Sequence, residues 1–280
     1  MKRNGMLKQW GFAFCAGLLA ISAGAAMGVT TAVAGEDEEL WQSIRDDVFQ
    51  AGKPIVDNSD KLVLDAPYRA EDAAVVPITI TLPADVAPHV RKLTLIVEKN
   101  PAPVVATFKF GEAAGLGERR ISTRIRVDMY SNVRAVAELD DGSLQMQTKF
   151  VKAAGGCSAP ALKDMDAALA NIGKMKIKSF GDKDASSTLT SEAQIMVRHP
   201  NYSGMQMNQL TGLYIPAKYV DHIEVKKGNA LVFDMEGGIS LSENPNIRFT
   251  YSAAVDGPLS VVARDTDGKT FTGSVAVSGS

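Results

Sequence analysis

Short runs rich in Val, Ile, Leu, Thr and Phe, broken by Pro, Gly and Asn, recur along most of this chain. In the first half they fall at residues 74–82, 92–98, 104–110, 121–128, 132–139 and 144–151. Runs of this length and composition read as β-strands, and Asp140-Asp141-Gly142-Ser143 between the last two is a hairpin turn. The second half repeats the pattern at 193–198, 220–226, 230–234, 246–251, 259–263 and 270–277, with Lys227-Gly228-Asn229, Asp256-Gly257-Pro258 and Asp267-Gly268 as breaks. Helical spacing occurs twice. Leu40, Trp41, Ile44, Val48 and Phe49 follow the acidic run Glu36 to Glu39, which suits a helix N-terminus; Leu162, Met165, Leu169 and Ile172 share one side of a segment over 161–175. The predicted fold is all-β: two immunoglobulin-like antiparallel β-sandwiches with a short N-terminal helix and a linker helix.

Composition narrows the function classes. With 30 Lys and Arg against 32 Asp and Glu, a net charge of -2 and 45% hydrophobic residues, the chain has neither the basic excess of a nucleic-acid binder nor the polarity of a disordered protein. The N-terminus changes the picture more. Lys2, Arg3 and Lys8 precede an apolar stretch over 10–27, and Ala32-Val33-Ala34 is a cleavage site of A-x-A type. Residues 1–34 therefore read as a secretory signal peptide, with an uncleaved anchor as the alternative. No later run approaches a membrane span, so no stable membrane insertion is expected after cleavage. Cys15 would leave with the signal, and the mature chain would hold a single cysteine, Cys157.

An unpaired cysteine in an exported protein points to a reactive thiol or to intermolecular pairing, here a Cys157-linked homodimer. Its setting, Ala154-Gly155-Gly156-Cys157-Ser158-Ala159-Pro160, has turn and linker composition, which predicts a mobile loop with an exposed thiol rather than a buried one. The domains are then 35–151, a loop and linker helix over 152–176, and 177–280.

The first half, closing on Gly155-Gly156-Cys157, resembles SoxY, the sulfur-carrier subunit of periplasmic thiosulfate oxidation, and the second half resembles its partner SoxZ. The residues that carry the second resemblance are Val197-Arg198-His199-Pro200, Ile215-Pro216-Ala217-Lys218-Tyr219-Val220, Ile239-Ser240-Leu241-Ser242-Glu243-Asn244-Pro245, and the stretch from Leu259 through Asp265 to Asp267-Gly268. Together they resemble a fused SoxYZ-like carrier of the kind associated with quinoprotein dehydrogenases. The resemblance implies a periplasmic, non-catalytic protein without a cofactor. Its Cys157 would hold a sulfur substituent as a persulfide-type adduct and present it to separate sulfur-oxidising or dehydrogenase-associated redox enzymes.

The residues fit that chemistry. Thiols exchange substituents through mixed adducts, and glycines at 155 and 156 leave the arm narrow and mobile. This chain departs from the family pattern in tethering the arm at both ends and in replacing the following glycines by Ser158-Ala159-Pro160. A loop of about nine residues projects only about 15 Å. Lys152 and Lys163 are candidates to raise the thiolate fraction. Two other readings remain: a noncovalent adaptor of a periplasmic quinoprotein dehydrogenase, and a copper carrier built on His199 with Met196, Met205 and Met207. His89, His199 and His222 show no spacing that makes a metal site or a Cys–His catalytic pair. Trp41, Tyr214, Tyr219 and Phe233 are expected in the core or between the domains.

Overall fold

A computed structural model describes residues 27–160, 170–180 and 190–277, with side chains of the first helix from Gly35 onward. That helix, α1, spans Met27–Phe49. It starts earlier than the periodicity predicts, so the acidic run 36–39 lies within it rather than at its N-terminus. The predicted signal falls mostly outside the described residues, and the linker helix largely so. Among the described residues no helix is long and apolar enough to cross a membrane.

From residue 44 on, the chain is β-structure in two layers. The first half supplies β1 (Ile55–Val56), β2 (Val63–Asp65), β3 (Val76–Leu82), β4 (Val90–Val97), β5 (Val104–Phe110), β6 (Arg119–Ile125), β7 (Ser131–Leu139) and β8 (Leu144–Val151). The second half supplies β9 (Met175–Phe180), β10 (Thr190–Val197), β11 (Val220–Lys227), β12 (Ala230–Gly237), β13 (Asn246–Ser252), β14 (Leu259–Asp265) and β15 (Thr270–Val275). The turns form as their residues predict: Gly142 at φ 81° closes β7–β8, Gly228 at φ 56° closes β11–β12, and Gly268 at φ 78° closes β14–β15.

Each half places strands in both layers, and the halves join edge to edge. Among the described residues one sheet has nine strands in the order β1-β8-β7-β4-β5-β12-β11-β14-β15, and the other six in the order β2-β3-β6-β13-β10-β9. The seam is antiparallel in each sheet: Phe108 lies opposite Met235 across β5–β12, and Ile121 opposite Phe249 across β6–β13. Four edges that two separate sandwiches would leave open are thereby paired. Beneath the seam Phe108, Phe233 and Phe249 meet edge to face in series, with ring centroids 5.5 and 5.1 Å apart at 71° and 86°. All three are fully buried, and the apolar core runs without interruption through both halves.

Three strands are absent from the sequence reading. β1 and β2 are too short to show a period. In β9, Met175, Ile177 and Ser179 are half-buried while Lys176, Lys178 and Phe180 are exposed. Met175 thus opens a strand instead of closing a helix, and residues 171–173 form a turn.

Candidate functional site

The loop after β6 is the foundation of the site. Arg126 donates its backbone N–H to the Ser240 carbonyl at 2.8 Å and Val127 to the Ala73 carbonyl at 2.8 Å, while the Asn100 side chain holds the carbonyl of Arg126 and the N–H of Asp128, both at 2.8 Å. This ledge faces the seam. Ser240 and Ser242, within the 239–245 motif, reach across it to the Ala102 and Ala74 carbonyls at 2.9 and 2.7 Å.

The Gly-Gly-Cys segment lies docked on the ledge. Gly155 N–H donates to the Asp128 carbonyl at 2.8 Å, Gly156 N–H to the Val127 carbonyl at 3.0 Å, and Cys157 N–H to an Asp128 carboxylate oxygen at 3.2 Å. The second half closes over it. Ser203 Oγ donates to the Cys157 carbonyl, and Gln206 Nε2 to that of Ala159 at 3.2 Å. Cys157 is completely buried. The expected mobile loop with an exposed thiol is thus a fastened strap, because the strap's backbone groups find partners in both halves.

The glycines have local reasons of another kind. Gly155 sits at φ 78°, a left-handed conformation that side chains disfavour. At Gly156 a Cβ would fall 2.1 Å from the Ala73 carbonyl oxygen and 2.7 Å from that of Val127. Close approach of backbones, rather than mobility, requires glycine at this position.

Burial sets the electrostatics. It pushes the Cys157 thiol up to about 12, with the Asp128 carboxylate adding to the rise and Arg126 opposing it. The docked sulfur is a neutral thiol at neutral pH. Lys152 does not serve as its cation: its ammonium lies over the Tyr68 ring, 4.9 Å from the centroid, and Lys163 lies outside the described residues. The cation of the site is Arg126, which the sequence reading passed over. It is 1% exposed and, among the described residues, the largest fully buried side chain. Its Nη1 donates to the Gly156 carbonyl at 3.0 Å and its Nη2 to that of Asn201 at 3.3 Å, while Nε has no hydrogen-bond partner among the described residues. Burial lowers its pKa, against the pull of Cys157, Glu243 and Asp72. An Arg directly before the Val-Asp that precedes a Met-Tyr-Ser turn carries no sequence signal for burial; only the fold puts it under the strap.

The other candidates stand apart. His199 is buried; its Nδ1 accepts the Asn201 N–H at 3.0 Å and its Nε2 faces Asp265 at 3.5 Å, so both ring nitrogens point at protein groups. That arrangement disfavours the copper reading, and among the described residues no group of three or more His, Cys, Asp or Glu could hold a metal ion. His89 pairs with Asp140 on the surface and His222 with Asp234 across β11–β12. Phe233 is core as expected, whereas Tyr214 is exposed, on a small hairpin over 207–214.

A two-sheet β-structure that buries a thiol at the junction of its halves defines a class of thiol-bearing protein, and comparison with known families gives the particular one. Residues 45–157 match the family described as sulfur oxidation protein SoxY, and residues 180–276 the family described as sulphur oxidation protein SoxZ. The chain belongs to these families: a SoxY domain is followed by a SoxZ domain in one polypeptide. The SoxY match ends on Cys157. No curated protein matches the chain. Among solved structures, the sulfur carrier protein SoxY from Chlorobium limicola f thiosulfatophilum is 21% identical, over 44% of this chain and 99% of that one, at a TM-score of 0.36. A β-glycosidase from Bacteroides vulgatus is 10% identical, over 85% of this chain and 26% of that one, at 0.24. The two families indicate a sulfur carrier in thiosulfate oxidation.

Proposed function

We propose that this protein is a periplasmic carrier that holds a sulfur-compound intermediate covalently on Cys157 and presents it to separate redox enzymes. One observation carries the reading: the chain's single described thiol closes the SoxY match and lies where the SoxY and SoxZ halves meet. The docked strap is then the resting state. Loading requires release of Gly155 to Ala159 from the ledge, after which the thiol gains water, an ordinary acidity and the reach of a loop. A Cys157-linked homodimer requires the same release, since the docked sulfur is inaccessible.

The burial of Cys157 also favours a second reading, a noncovalent adaptor of a periplasmic dehydrogenase in which the thiol only packs. Intact mass of protein isolated from its native compartment without reductant separates the two. A reducible mass gain on Cys157 is the expected result, and its size identifies the cargo. A bare thiol in actively oxidising cells, with full substrate turnover retained by Cys157→Ser, would establish the adaptor.

A further inference from the structure

Arg126 is a buried cation that has no ion-paired carboxylate among the described residues. Its guanidinium sits under the strap; among the described residues it is bonded to the carbonyls of Gly156 and Asn201, and Nε has no partner there. Glu243 and Asp72 act on it through charge alone. Buried charges are ordinarily paired, and removal of one partner from a buried pair is strongly destabilising. The resting protein, with a neutral thiol, therefore keeps a cation whose natural complement is an anion at the neighbouring position. That position is Cys157, one residue beyond the carbonyl that Nη1 holds.

We propose that Arg126 is the anion-recognition residue of the carrier: its guanidinium receives the negative charge of a sulfur oxyanion attached to Cys157, so that the strap docks more firmly when charged cargo is bound than when a neutral group occupies the sulfur. The inference rests on the carrier reading for its physiological meaning, but its test uses adducts made chemically. Arg126 is a positioning residue for the adduct, and the planar fork of a guanidinium suits an oxyanion better than an ammonium does. The ledge residue Asp128, together with Glu243 and Asp72, opposes an anion there, so the balance depends on Arg126.

The full chain is loaded in two ways. With tetrathionate, the Cys157 thiolate attacks an inner sulfur, the central S–S bond breaks, thiosulfate leaves with the electron pair, and Cys157 becomes an S-thiosulfonate carrying one negative charge. With methyl methanethiosulfonate, the thiolate displaces methanesulfinate and Cys157 becomes a neutral methyl disulfide. In both cases the thiol proton passes to solvent, and complete loading is verified by intact mass. Amide hydrogen exchange is then followed at residues 154–160. The methyl adduct is the smaller, so packing alone would dock it better. The expected result is the reverse: exchange in the thiosulfonate form is slower by about tenfold or more, and Arg126→Gln removes the difference while Arg126→Lys restores part of it. Equal exchange in the two loaded forms, or faster exchange in the anionic one, would overturn the proposal. Because the wild-type comparison stands alone, a variant that fails to fold does not rescue it. Absence of any native adduct on Cys157 would refute the carrier reading without touching this result.

Discussion

Ser203→Ala tests whether the strap is held from the second half. In the docked state the Ser203 hydroxyl donates to the Cys157 carbonyl and accepts the Met205 N–H at 3.2 Å, and the hydroxyl is buried. Its removal leaves the Cys157 carbonyl without that partner only while the strap is docked; once released, the carbonyl is solvated. An unsatisfied buried acceptor costs about 1 to 2 kcal/mol, which favours opening by about five- to thirtyfold. The assay is the rate at which an excess of 5,5′-dithiobis(2-nitrobenzoate) labels Cys157 at pH 7.5, read by absorbance. The wild type is expected to label slowly through rare opening, and Ser203→Ala about five- to thirtyfold faster, with its urea midpoint moving little because the strap opens without the sandwich. Gln206→Ala, which gives up the bond to the Ala159 carbonyl, is expected to act in the same direction. Labelling of Ser203→Ala at the wild-type rate in folded protein would refute the argument.

Gly156→Ala is expected to abolish docking while the protein still folds, since its Cβ meets two ledge carbonyls and the strap can simply lift away; Cys157 then labels like a free thiol. The pH dependence of labelling has a definite sign. The docked thiol is raised to about 12, so docking contributes fully below the ordinary thiol pKa of about 8.5 and weakens as pH rises through that window. Wild-type labelling is expected to keep climbing about tenfold per pH unit beyond 8.5, where an exposed thiol has levelled off, and a plateau between pH 8 and 9 would contradict it. His199 has its pKa lowered by burial, which outweighs Asp265, so its contribution is present above about pH 6.5 and lost as pH falls below it. Urea midpoints between pH 5 and 7 are expected to fall less steeply on acidification in His199→Asn than in the wild type. Phe233→Ala removes the middle ring of the seam and is expected to cost about 3 to 5 kcal/mol, with both halves melting in one calorimetric transition; two separate transitions would show that the continuous core does not couple them.

Much of this protein is legible in its pattern of residues. The period-two runs and the Asp-Gly and Lys-Gly-Asn turns determine most of the strands, because alternation and positive-φ glycines act over a few residues. The resemblance to SoxY and SoxZ likewise rests on local motifs, and it isolates Cys157. The same local view misleads at Gly155-Gly156, where two adjacent glycines read as a flexible hinge. Gly156 is required because two carbonyls, from Ala73 and Val127, crowd its Cα, and neither is near it in sequence. Arg126 reads as an ordinary strand-end cation until the fold covers it. The helical spacing over 161–175 likewise hid the alternation of β9, which begins at Met175.

Tertiary structure alone decides how the halves combine and what state the thiol occupies. Nothing in the spacing of β5 or β12 says that their edges meet, since edge pairing satisfies backbone groups that every strand possesses, whatever its side chains. The burial of Cys157 depends on Arg126 and Asp128 on one side and Ser203 and Gln206 on the other. These residues are separated by 29 to 47 positions from the strap residues they hold and come together only when two sheets close around a single core. The sequence by itself determined most of the strands, the order of the two halves and the candidate thiol; the long-range packing decided that this thiol rests neutral and covered, beside a buried guanidinium.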